Sequence, residues 1–226
     1  MSGETRQSWS LGCTVLTWFL LCVWGCSTPN PNVRARRLPD GRIEVDGPLA
    51  GPFQTTEELA AKSCRIMTEQ PGASNGVYGF EYCALTYYSH EGSGFFLSFL
   101  SEHRNRLDSQ VKTCLRPALL NDPSHPDAVT VGDAHNHTHN RRFSPQDLSA
   151  AARWYPDRVV DKHSGQVWRR QLMLFYREKT GECRAYTYDN ASRVVSALRD
   201  EHWVPIGEVY DDIGNIKMYD GMDWLP

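Results

Sequence analysis

The chain has 226 residues, 40% of them hydrophobic and 23% charged, and carries a formal net charge of −3. Such a composition excludes a low-complexity or disordered chain and suffices for one core-bearing domain. Near-neutral charge gives no basis for a nucleic-acid partner, and none is expected.

The first 26 residues differ from the rest. Arg6 is the only basic side chain there, and Leu11 to Gly25 reads LGCTVLTWFLLCVWG. This apolar run is short for a membrane span, which needs about 20 residues, and suits a signal-peptide core. It ends at Cys26, followed by the polar Ser27-Thr28-Pro29-Asn30-Pro31-Asn32. A small residue before a cysteine, with a polar stretch after it, resembles a bacterial lipobox. The resemblance implies a signal peptide over 1–25, lipidation of Cys26 and a membrane attachment through that lipid. The expected location is the bacterial cell envelope, on the outer-membrane or periplasmic side. Residues 26–40 hold three prolines and the basic Arg34-Ala35-Arg36-Arg37, and read as a tether. The folded domain is then expected over 41–226. Export leaves Cys64, Cys83, Cys114 and Cys183 in an oxidising compartment, where up to two disulfides are expected; three pairings stay open.

Gly41 to Val45 reads as a short strand. Thr55-Thr56-Glu57-Glu58 is a capping-box pattern, and Ala60, Cys64 and Met67 recur at helical spacing, which predicts a helix over 56–69. Pro71-Gly72 and Asn75-Gly76 stop it. Val77 to Tyr88 is dense in aromatic and β-favouring residues and predicts a strand with Glu81 in its middle. Phe95–Leu100, Gln110–Leu115 and Ala128–His135 read as further strands. A helix is predicted from Ser144 to about Trp154. A long strand follows over Val167–Arg177, another over Glu182–Tyr188, then short β-type pieces at Trp203–Val209 and Ile213–Met218. Strands interleaved with helices give an α/β (α+β) class, with a mixed β-sheet flanked by helices in a single domain.

The chemistry concentrates between Val129 and Leu148. His135 and His137 alternate at the end of a strand, so both imidazoles project to one side. After six intervening residues Ser144-Pro145-Gln146-Asp147 begins the next helix. Serine at N-cap, proline at N1 and an acid at N3 make a good helix start without any metal. Two imidazoles and a carboxylate are also a ligand set that Zn²⁺ accepts, with a fourth position left for water. Glu81 adds a carboxylate in an apolar strand, which is costly unless it has a partner or a task. A register using His137 and His139 instead leaves only four residues before Ser144.

The order Glu81-Tyr82-Cys83-Ala84-Leu85, then His135-Asn136-His137, then Ser144-Pro145-Gln146-Asp147 resembles the JAMM (JAB1/MPN/Mov34) metalloprotease motif, especially its divergent bacterial branches. The match spans about Thr55 to Trp154. In the family, seven residues usually separate the second histidine from the serine, and a proline often follows that histidine; here there are six, and Thr138. The resemblance implies a JAMM/cytidine-deaminase-like sheet and Zn²⁺ held by His135, His137 and Asp147. It implies Glu81 as general base and Ser144 as a group stabilising charge on the substrate's carbonyl oxygen. The implied reaction is hydrolysis of a peptide or isopeptide bond in a peptide or protein substrate. The alternative it leaves is a non-catalytic binding or scaffold lipoprotein with the same fold.

Overall fold

The structure is a computed structural model that describes residues 29–102 and 112–225. The signal-peptide and lipidation readings, Cys26 included, lie outside these residues. Residues Pro31–Pro226 form one unit. In chain order its elements are β1 (Ala35–Arg37), β2 (Ile43–Asp46), β3 (Ala50–Phe53), α1 (Thr56–Thr68), β4 (Tyr82–Ser89), β5 (Gly94–Leu97), β6 (Ser101–Glu102), β7 (Leu119–Asn121) and β8 (Val129–Asn136). Then follow α2 (Pro145–Leu148), β9 (Arg158–Val160), β10 (Val167–Arg169), β11 (Gln171–Arg177), β12 (Cys183–Asp189), β13 (Val194–Arg199), β14 (His202–Val209) and β15 (Ile216–Met218). The class is mixed α+β and dominated by strands, with a single domain.

The main sheet runs β15-β14-β13-β12-β11-β8-β4-β5-β3, with β6 also paired to β4. Strand β8 lies at its centre, parallel to β11 and antiparallel to β4. Alternation along β8 sends Ala134 to one face and Asp133 and His135 to the other. On the first face α1 packs Leu59, Ala60, Cys64 and Met67 against Ala84, Ala134, Met173 and Phe175. The second face has its own core, which includes Leu172, Leu174, Tyr186, Phe143, Leu148 and Trp224. Both faces of the central strands are therefore covered, and the histidines open toward the second.

Helix α1 starts where its sequence directs. The Thr55 side chain accepts the Glu58 N–H at 3.1 Å, and the Glu58 carboxylate reaches back to Gln54 N at 2.9 Å. At the centre of the sheet Gly132 has no room for a side chain: a Cβ there would lie 1.9 Å from the Gln171 carbonyl oxygen. The strand expected over Ala128–His135 is β8, which runs through Gly132 to Asn136.

Several expectations need correction. Ala35–Arg37, read as tether, is β1, paired antiparallel to β2, so part of the basic patch belongs to the fold. The strand expected over 77–88 begins only at Tyr82; Gly76–Tyr78 is a 3₁₀ turn, and Glu81 precedes the strand. Residues 112–115 are irregular rather than a strand (110 and 111 lie outside the described residues). The ladder position beside Tyr82 and Cys83 is already taken by β6. The helix expected over 144–154 is one turn followed by the 3₁₀ turn Ala150–Ala152. Its continuation is broken because Ala150 N donates to Asp212 O, and Trp154 is drawn to Asp133. The long strand 167–177 splits at Arg170, whose N–H goes to Asp157 O and whose carbonyl takes two bonds from Asn190. The cysteines pair as Cys64–Cys183, joining α1 to β12, and Cys83–Cys114, joining β4 to the irregular segment. Among the described residues no helix is long and apolar enough to cross a membrane.

Candidate metal centre

The ladder between β4 and β8 builds the site. It sets Cys83 opposite His135, Ala84 opposite Ala134 and Leu85 opposite Asp133. Glu81, immediately before β4, and Cys83 line the same cavity as His135 and His137. His137 is held beyond the strand end by its N–H on Phe175 O at 2.9 Å.

Asp147 arrives from the other direction, in the first turn of α2. Its Oδ2 accepts from Ser144 N and Ser144 Oγ, both at 2.7 Å, while its own N–H donates to Ser144 Oγ at 3.2 Å. Phe143 and Leu148, on either side of this turn, are both buried in the second core. Phe143 also lies 6.3 Å from the His135 ring, so the polar loop 138–142 is closed by an apolar anchor.

Three donor groups converge. His135 Nε2 and His137 Nε2 are 3.2 Å apart. His135 Nε2 lies 3.6 Å from Asp147 Oδ1, and His137 Nε2 lies 3.5 Å from Asp147 Oδ2. Donors bound to a tetrahedral zinc at its usual bond lengths lie about 3.3–3.5 Å from one another. Two imidazole nitrogens that face each other cannot both carry protons. A shared cation satisfies both lone pairs and the carboxylate at once, so the donor set is capable of holding a metal ion.

The electrostatics favour a neutral His135 and an ionised Asp147. Burial pushes His135 down to about 4. Burial also depresses His137, but the adjoining Asp147 carboxylate outweighs it and leaves the group above its ordinary value. Burial penalises the Asp147 charge, yet His135, His137 and Ser144 more than reverse this and hold the carboxyl well below the usual range. His137 Nδ1 meets Asn140 Oδ1 at 3.3 Å; a proton on Nδ1 leaves Nε2 as the ligating nitrogen.

Glu81 is 6% exposed, and burial raises its pKa to about 7, with His137 and Lys112 opposing and Asp147 adding to the rise. It lines the same cavity, of about 500 Å³, as His135, His137 and Asp147. His139 lines this cavity too, but it is exposed and stands outside the donor cluster.

Ser144 takes the capping role. Its single hydroxyl proton goes to Asp147 Oδ2, so it orients that carboxylate.

Asn136 escaped sequence reasoning. It lies between the two histidines, fully buried on the opposite face. Its Oδ1 accepts Tyr82 N at 2.8 Å, and its Nδ2 donates to Phe80 O at 3.3 Å and Ala73 O at 3.2 Å. Asn136 thus clamps the backbone on both sides of Glu81. The signal was a polar side chain at the inward-facing position between the histidines. Asp133 and Arg116 were also missed, and are described below. No family model matches the chain, and no curated protein or solved structure is significantly similar to it.

Proposed function

We propose that the chain is a zinc-dependent peptidase of JAMM type, attached to the bacterial cell envelope through a lipid at Cys26. The observation that carries the reading is the convergence of His135, His137 and Asp147 in one cavity with a buried carboxylate, Glu81, which immediately precedes β4.

A zinc ion held by these three groups would supply Lewis acidity toward water and toward the scissile carbonyl. Glu81 does the proton work: it takes a proton from the attacking water and gives it to the departing amine nitrogen as the C–N bond breaks. A carboxyl with a pKa near 7 is matched to both halves of that transfer at neutral pH. Ser144 holds Asp147 in place, and Asn140 holds His137. Asn136 fixes the backbone that carries Glu81.

Metal content and turnover test the reading together. The purified chain should hold close to one zinc per molecule, and His137→Ala should lose it. Glu81→Gln should keep the zinc and lose hydrolysis across a broad peptide library. A chain with zinc far below one per molecule sinks the metallopeptidase. A zinc-loaded wild type that cleaves nothing turns the reading into a non-catalytic JAMM-like scaffold.

A further inference from the structure

A second charged constellation stands in the wall of the same cavity. Arg116 points its guanidinium at Asp133, with Nε 2.6 Å from Oδ2 and Nη2 3.0 Å from Oδ1. Its Nη1 donates to the Ala152 carbonyl. The Trp154 ring lies against the guanidinium, 5.0 Å from it, and the same indole donates to Asp133 Oδ1 at 2.5 Å. The Asp133 side chain is 4% exposed, whereas 36% of the Arg116 side chain remains open.

This arrangement is more than a clamp for the irregular segment around Arg116. That segment is already pinned by the Cys83–Cys114 bond and by Ser101 Oγ on the Leu115 carbonyl. The bonds to Asp133 and Ala152 engage three of the five guanidinium N–H groups and leave one on each terminal nitrogen. An arginine oriented this firmly and open on its outer edge suits a carboxylate, which it binds through paired hydrogen bonds. The surrounding charge agrees. The ligand set, once loaded, combines a dication with the Asp147 carboxylate for one net positive charge, whereas Asp133 is already matched by Arg116. The cavity therefore favours an anionic group on its occupant.

We infer that the substrate carries a carboxylate close to the scissile amide and that Arg116 is the residue that binds it. The inference rests on the peptidase reading above and narrows its substrates. A peptide's terminal carboxylate and an acidic side chain present the same chemistry to Arg116, so both are tested.

Calorimetric titration of three peptides into the zinc-loaded Glu81→Gln chain reads binding without turnover. The peptides are N-acetyl-Ala-Ala with a free carboxylate, its C-terminal amide, and N-acetyl-Ala-Asp amide. At least one acid should bind roughly tenfold or more tightly than the neutral amide. The dipeptide acid winning assigns the terminal carboxylate; the aspartyl peptide winning assigns the side chain. Adding Arg116→Gln should reduce the preference to below about threefold while the zinc content stays. Arg116→Lys, which keeps the charge and Asp133's partner, should bind the acid less tightly than Arg116 does. Equal binding of acids and amide overturns the inference. So does a preference that survives both substitutions, because the carboxylate then sits on the metal. Zinc content is assayed on the same samples, so failure of the metal site and failure of the anion site are seen separately.

Discussion

Replacing Glu81 by glutamine separates the charge of this side chain from its shape. Burial raises the Glu81 pKa from 4.5 to about 7, with His137 and Lys112 opposing and Asp147 reinforcing. An acid whose pKa is raised on folding binds its proton more tightly in the native state. Its stabilising contribution is complete below the unfolded value and is lost as pH rises from about 4.5 through about 7. That gap corresponds to about 3 kcal/mol of lost stability at pH 8. Glutamine stays neutral throughout and has nearly the same volume. In the presence of a chelator, Glu81→Gln should therefore be more stable than wild type at pH 8 by about 2–3 kcal/mol, or roughly 5–10 °C in Tm. At pH 5, where the native carboxyl is protonated, the two should agree within about 1 kcal/mol. Urea denaturation at both pH values measures the difference. Zinc should shrink the pH 8 gap, because a neighbouring dication offsets the cost of the Glu81 charge. A difference that does not change between pH 5 and pH 8 refutes the reasoning, since Glu81 would then carry no buried charge.

The disulfides should differ in weight. Cys64–Cys183 spans 119 positions and Cys83–Cys114 spans 31. Replacing the first pair by alanine should cost about 5 kcal/mol and the second about 4 kcal/mol by loop-closure entropy, read from urea midpoints. A larger loss at the shorter loop would mean that native contacts of the cavity wall, not chain entropy, set the cost. Asn136→Ala strands the buried Tyr82 N–H and two carbonyls. It should cost about 3 kcal/mol and lower kcat roughly tenfold with zinc content unchanged, because Glu81 loses its backbone clamp. An unchanged kcat would remove Asn136 from the positioning of Glu81.

Some of the site is written in local spacing. The two-residue period of a strand puts His135 and His137 on one face wherever that strand lies. Serine, proline and an acid at 144, 145 and 147 start a helix from their own hydrogen-bonding and φ preferences, and α2 starts there. Thr55 and Glu58 likewise set the beginning of α1, which runs Thr56–Thr68 against an expected 56–69.

Other features depend on partners far away in sequence, and local pattern carries no information about them. Val77 and Tyr78 have strand-like propensity, yet Gly76–Tyr78 turns, because Asn136 captures the chain at Phe80 and Tyr82. The apolar residues around Cys114 look like a strand, but β6 takes the ladder position and Cys114 is bound to Cys83. Arg36 reads as solvated linker until Glu44 and Asp46, on the paired strand, supply its counter-charges.

What the sequence alone determined, then, is the direction of individual side chains along their own strand or helix turn, since that depends on backbone periods of a few residues. Tertiary structure decided what those side chains meet. The register of β4 on β8 brings Glu81 to the cavity of the histidines across more than fifty residues of chain. The placement of α2 brings Asp147 to within 3.6 Å of both imidazoles. Neither follows from spacing, because both are set by which long-range pairing buries the most apolar surface and leaves the fewest backbone groups unbonded.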